Sequence, residues 1–323
     1  VGAVVGLGDT RTGDTICNEK HPIVLESIEF PAPVIGLAVT PESRTDRDNL
    51  SKALIRLAEE DPTFTVTANE ETGDVVISGM GELHLEIIVD RLKREFNVST
   101  QVGKPQVAYR ETVVGSVEHE HKHVKQTGGH GQYAHVKMEV RPAEPGSGLH
   151  FEDRVTGGRI PKEYIPSVER GVVDAMAEGP YAGFPMVDVF VVLLDGSSHD
   201  VDSSEMAFRT CARQGFRDAC RKAGLQLLEP VMSVEVTAPE DHTGAITGSL
   251  CSKRGHIVDM ELRGKTGVTR ARVPLAEMFG YSSELRNATS GRGEFTMHFE
   301  HYEAVPFAHA EEIVEERSKA KSG

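Results

Sequence analysis

Residues 49–78 read NLSKALIRLAEEDPTFTVTANEETGDVVIS, and the change of period inside that stretch decides the fold. Leu50, Ala53, Leu54, Leu57 and Ala58 fall at i, i+3, i+4, i+7 and i+8, one apolar face of a helix. Asp61-Pro62 stops that helix, since proline offers no N–H to continue it. FTVTAN (64–69) and DVVIS (74–78) then form two β-prone runs about Glu71-Thr72-Gly73, the pattern of a hairpin. Upstream, PVIGLAVT (33–40) is a strand. Downstream, a helix carrying Leu85, Ile88, Leu92 and Phe96 precedes a last strand, VSTQV (98–102). The order is βαββαβ, the split β-α-β arrangement of a ferredoxin-like domain.

The same order returns near the C-terminus. VMSVEVTAP (231–239) is a strand, 240–253 a helix, and HIVDMEL (256–262) with TRARVPL (269–275) a hairpin about Gly264-Lys265-Thr266-Gly267; 275–288 is a helix and EFTMHFE (294–300) the closing strand. Two ferredoxin-like units thus flank a different middle, 113–229. It holds the long strands VEHEHKHVKQ and YAHVKMEVRP, a helix through EYIPSVERGVVDAMAEG, and a strand, VFVVLL (189–194), ending at Asp195-Gly196 before a helix near Ser203. Residues 1–28, with GLGDTRTGDTICNE, read as the last strands and turns of an all-β module and are too few to close a barrel, so the chain is expected to begin inside a domain. The fold class expected is α+β and multidomain.

Composition bounds the partners. The chain has 323 residues and a net charge of -15, so any contact with nucleic acid must be local rather than a basic face. No window approaches the run of about 18 apolar residues that a membrane helix needs. Cys17, Cys211, Cys220 and Cys251 form no C-x-x-C pair, which fits reduced thiols in a cytoplasm.

Catalytic patterns fail one by one. Gly264-Lys265-Thr266 resembles the end of a phosphate loop, but Asp259 stands at the upstream glycine position and the segment is a hairpin turn. TGGHGQY lacks the third glycine of a dinucleotide loop. DVDSS fails as a calcium loop, with Glu205 at the turn glycine and Cys211 at the bidentate glutamate. Adjacent Ser198, His199 and Asp200 cannot turn toward one another as a hydrolytic triad. His119, His121 and His123 alternate on one strand face, as zinc ligands can, yet the sequence places no further ligand beside them, so no metal is expected. Asp202, followed three residues later by Glu205, reads as a capping pair for the helix of Met206, Ala207 and Phe208. His199 is left without a structural task.

Four separated motifs, GMGELHLEI (79–87), QTGGHGQYAHVK (126–137), HDVDSSEMAF (199–208) and PLAEMFGYSSELRNATSGRG (274–293), resemble bacterial elongation factor G, the ribosomal translocation GTPase. The resemblance runs nearly end to end. It implies that 1–28 is the remnant of the second domain's β-barrel, 29–112 the third domain, 113–229 the fourth, 230–303 the fifth, and 304–323 a helix returning to the fourth. It also implies that the nucleotide-binding domain, with its GTP and magnesium, lies outside this sequence. The chain itself is then not an enzyme and needs no cofactor.

In that family the fourth domain is an arm whose two tip loops enter the decoding region of the small subunit. Carried over by motif, one loop runs from Gln126 to Tyr133 and holds Gln126, Gly128, Gly129, His130, Gly131 and Gln132, and the other runs from Ser197 to Asp202 and holds Ser198, His199 and Asp200. The partners implied are the ribosome with its RNA, transfer RNA, messenger RNA and the parent factor's nucleotide-binding domain, met by a cytoplasmic monomer. His130 stands where the family usually has arginine, and Ser198 where an aromatic residue is common. Those departures keep open a paralogue specialised in ribosome recycling. A free-standing ribosome-binding module and a hydrolase built on the strand histidines are the readings from other classes.

Overall fold

The computed structural model describes residues 15–18, 20–23, 33–68, 75–103, 106–125 and 131–322. The hairpin turn expected at 71–73, the loop residues 126–130 and most of the expected barrel remnant lie outside them. The chain divides into two compact units, Val1–Ala108 with Pro230–Glu300 and Tyr109–Glu229 with His301–Gly323.

The first unit opens with β1 (Ile35–Pro41), α1 (Arg44–Glu60), β2 (Thr65–Ala68), β3 (Val75–Gly79), α2 (Glu82–Arg94), β4 (Thr100–Val102) and the short β5 (Gln106–Val107). The sheet order is β2-β3-β1-β4, with β3 and β4 both antiparallel to β1, as a split β-α-β domain requires. Ser43 caps α1 by accepting the Asp46 N–H. The buried stripes are those of the sequence pattern: Leu50, Ala53, Leu54 and Leu57 on α1, Leu85, Ile88 and Leu92 on α2. The first quoted motif has a structural task here. His84 takes the Met80 N–H on Nδ1 and bonds Asp61 through Nε2 at 2.8 Å, tying the end of α1 to the start of α2.

The second unit contains β6 (Arg110–Val113), β7 (Val117–Lys125), β8 (Gln132–Pro142), β9 (Leu149–Asp153), α3 (Ile165–Ala177), β10 (Val189–Ser197) and α4 (Glu205–Ala223). Its sheet runs β7-β8-β10-β9, antiparallel except for the β9–β10 pair. Ala134, Val136, Met138 and Val140 of β8 alternate into a core closed by Val168 and Val172 of α3 and Phe208, Cys211 and Phe216 of α4. The sequence pattern places no strand at β9 and ends β10 at Asp195-Gly196. In the structure β10 runs on to Ser197, with a bulge between Leu193 and Asp195, and Gly196 pairs with Val136. A Cβ on Gly196 would strike the His135 carbonyl and Ile160, so this glycine serves close packing rather than a turn.

β11 (Leu225–Pro239) follows, then α5 (Thr243–Ser252), β12 (His256–Arg263), β13 (Thr266–Pro274), α6 (Tyr281–Ala288), β14 (Glu294–Ala304) and α7 (Phe307–Ser322). The order β12-β13-β11-β14 repeats the topology of the first sheet. The helix expected over 275–288 is broken: Leu275–Met278 is a 3-10 turn, and α6 starts only after Gly280 at φ +74°. In the second unit α7 contributes Ala310 and Ile313 to a small cluster with Phe184, Leu227 and Val305. Glu111 underlies that cluster. It is fully buried, and its carboxylate accepts the backbone N–H groups of Tyr181, Ala182 and Phe184.

Candidate functional site

At one end of the β7-β8-β10 sheet, the segment between β10 and α4 is tied to the first residues of β8. The Asp202 carboxylate accepts the Gly131 N–H at 3.0 Å, and the Asp202 carbonyl accepts the Tyr133 N–H at 2.8 Å. Ser203 Oγ–H donates to the Tyr133 carbonyl at 2.8 Å and accepts the His199 N–H at 2.8 Å. Below these, Ser197 Oγ joins the Tyr133 hydroxyl at 2.8 Å and His135 Nδ1 at 3.1 Å. Gly131 has no Cβ to hold Asp202 away, for a Cβ there would lie 3.0–3.2 Å from the carboxylate atoms.

His199 sits at the crest of this network with 55% of its side chain exposed. Its Nδ1 faces the N–H groups of Asp202 at 3.3 Å and Val201 at 3.4 Å, and the Asp202 carboxylate at 3.4 Å. A neutral ring accepts the amides on Nδ1 and therefore carries its proton on Nε2; a protonated ring donates to Asp202 instead. Either way a ring donor remains at Nε2. The Tyr133 ring lies beside the imidazole, 6.2 Å between centroids.

Of the residues singled out from sequence, Ser198, His199 and Asp200 share this segment, with His199 and Asp200 exposed. Gly131 and Gln132 lie opposite at the start of β8, and the exposed Gln132 is held by His123 across the β7–β8 pair at 3.1 Å. Gln126, Gly128, Gly129 and His130 lie outside the described residues. The capping assignment is corrected. Ser204 is the N-cap of α4, extended at φ -152° and ψ 164°, and its side chain accepts the Ala207 N–H. Glu205 is already the first helical residue. Asp202, two residues ahead of the cap, spends its carboxylate on Gly131, 71 positions away in sequence.

Sequence reasoning misses Ser203 and Ser204, and it places Tyr133 and Ser197 only as the ends of the two loops. The serine pair before Glu205 carries a capping signal as strong as the aspartate's. The cross-loop roles of Tyr133 and Ser197 have none, because they depend on which strand lies beside which.

Three family models match consecutive segments: elongation factor G domain III over residues 30–104, domain IV over 105–224, and the elongation factor G C-terminus over 226–313. The chain belongs to the elongation factor G family. A crystal structure of a protein from Thermus thermophilus superposes with a TM-score of 0.72 at 40% sequence identity, covering 90% of this chain. The chain spans 44% of that protein's length. None of the three matched elongation factor G segments is a nucleotide-binding domain. Every residue of the loop network around His199 lies within the segment matched to domain IV.

Proposed function

We propose that this chain is the ribosome-entering portion of a translocation factor, and that the His199 loop acts on RNA in the small-subunit decoding region as transfer and messenger RNA advance. GTP hydrolysis is supplied by a nucleotide-binding domain of the parent factor. The observation that carries this reading is the held imidazole: an exposed ring whose Nδ1 is engaged by the loop's own amides, leaving Nε2 to the outside. Such a donor suits an RNA base edge or 2′-hydroxyl, and single-stranded or loop RNA is recognised by contacts of this polar and stacking kind. A net charge of -15 is compatible with that, because a few local contacts rather than a basic face make the interaction.

The test is His199→Ala in the full-length factor, with translocation and phosphate release followed by stopped flow on the same preparations. One hydrogen bond is worth about 0.5–3 kcal/mol net, so translocation is expected to slow between a few-fold and about a hundredfold. Ribosome-stimulated GTP hydrolysis is expected to stay near the parent rate. Translocation at the parent rate, or joint loss of both activities, would remove the role assigned to His199.

A further inference from the structure

Outside the loop network, β7 and α4 face each other with an uncommon set of side chains. His119 and His121 are two apart on β7 and so project to the same face. Asp218 and Lys222, one turn apart on α4, meet them: Asp218 lies 3.4 Å from His121 Nδ1, and Lys222 Nζ lies 3.0 Å from His119 Nδ1. The helix comes this close because residue 215 is glycine, where a Cβ would press on the His121 Cβ at 2.9 Å. A ligand atom from each of His119, His121 and Asp218 lies within 4.8 Å of the other two, and among the described residues no other group of three metal-ligating side chains does so.

We propose that His119, His121 and Asp218 form a divalent transition-metal site, of a kind that takes zinc, that clamps α4 onto β7. Two imidazoles and a carboxylate are a donor set suited to zinc and its neighbours and poorly suited to magnesium or calcium, which prefer oxygen throughout. Ligand atoms around a tetrahedral zinc are about 3.3 Å apart, so modest side-chain rotations close the set, and water completes it on the exposed side. The Lys222 ammonium occupies the cation's place beside His119 and must swing into solvent when metal binds. Lys222 is exposed and free to do so. His119 also has an Nε2 with no hydrogen-bond partner in the protein, so its packing at this spot is not accounted for by hydrogen bonding alone. The sequence offers His119, His121 and His123 together, but the group the fold assembles takes Asp218 rather than His123; Asp218 is 97 positions from His121 and arrives only through the fold.

The experiment is calorimetric titration of the purified chain with zinc chloride, alongside His121→Gln, Asp218→Asn and Lys222→Met, each checked for folding by circular dichroism. The chain has 14 histidines, so weak background binding is expected and the changes among variants decide the matter. One site per chain is expected above that background. His121→Gln and Asp218→Asn should each weaken it by about tenfold or more, as loss of a ligand does. Lys222→Met should tighten it, since the competing ammonium is gone, an effect that a merely structural role for these residues would not produce. Cobalt in place of zinc should give the visible absorption of a low-coordinate nitrogen–oxygen site, and this readout on the parent chain stands even where a ligand variant fails to fold. Zinc binding of equal strength in all four proteins, or no site above the background in the parent, would overturn the assignment.

Discussion

At the scale of single residues, Ser204 and Asp202 divide tasks that a capping motif would assign to the aspartate alone. Ser204→Ala removes the α4 cap and is expected to lower stability by about 1 kcal/mol, seen as a shift in the urea midpoint without a change in slope. Asp202→Ala removes no cap; it leaves the Gly131 N–H without its acceptor and loosens the hold on His199. Its expected signature is faster amide exchange at Gly131 and Tyr133, with α4 protected as before. Increased exchange along α4 in Asp202→Ala would restore the capping reading. His199 itself was legible from the sequence as the one loop residue without a structural task. What the sequence could not give was the ring's orientation, which follows from two backbone amides, beside a tyrosine brought from another strand.

At the scale of elements, the end of β10 and the start of β8 are joined through His135 and Ser197. Burial depresses the His135 pKa, against opposing attraction from Glu120 and Asp195 and alongside repulsion from Lys122. A histidine with a folded-state pKa below its unfolded value of about 6.5 binds its proton more readily when unfolded. Its contribution is therefore fully present above about pH 6.5 and is lost as pH falls from there toward the depressed folded value. The thermal midpoint of the second unit is expected to drop between pH 7 and pH 5, and His135→Gln to flatten that dependence. An unchanged slope in the variant would show that other groups carry it. Glu111 makes a second element-scale case. Replacing it with alanine leaves three backbone N–H groups of the 181–184 turn without their acceptor, at a cost of about 3 kcal/mol or more, read by urea denaturation.

At the scale of the whole molecule, the two units have their own cores, and α7 closes a patch on the second. A chain ending at Ala304 would uncover Phe184 and Leu227, which are 8% and 1% exposed. Burial of one large apolar side chain is worth about 1.5–3 kcal/mol, so the second unit's unfolding midpoint is expected to fall accordingly, while the β1–β4 core keeps its own. Loss of both midpoints together would mean that the patch supports more than its own unit. Nucleotide binding is the complementary test. No glycine-rich phosphate loop stands between a strand and a helix in this sequence, so titration with GTP or GDP is expected to give no heat of binding. A micromolar affinity would reveal a phosphate site built in another way.

The sequence by itself determined the two βαββαβ repeats, because helix and strand periods are local properties: Leu50 to Ala58 bury one face whatever lies beside them, and the switch to alternation after Pro62 needs no tertiary partner. It also marked His199. The tertiary structure alone decided the strand order β2-β3-β1-β4 and its repeat, the continuation of β10 through Gly196, and the use of Asp202 for Gly131 rather than for a helix. It alone set Asp218 beside His121. Each of these joins residues distant along the chain, and a side chain such as aspartate can satisfy a nearby amide or a remote one with similar energy. Packing of β8 against β10 and of α4 over β7 makes that choice, and packing is a property of the folded chain rather than of any segment within it.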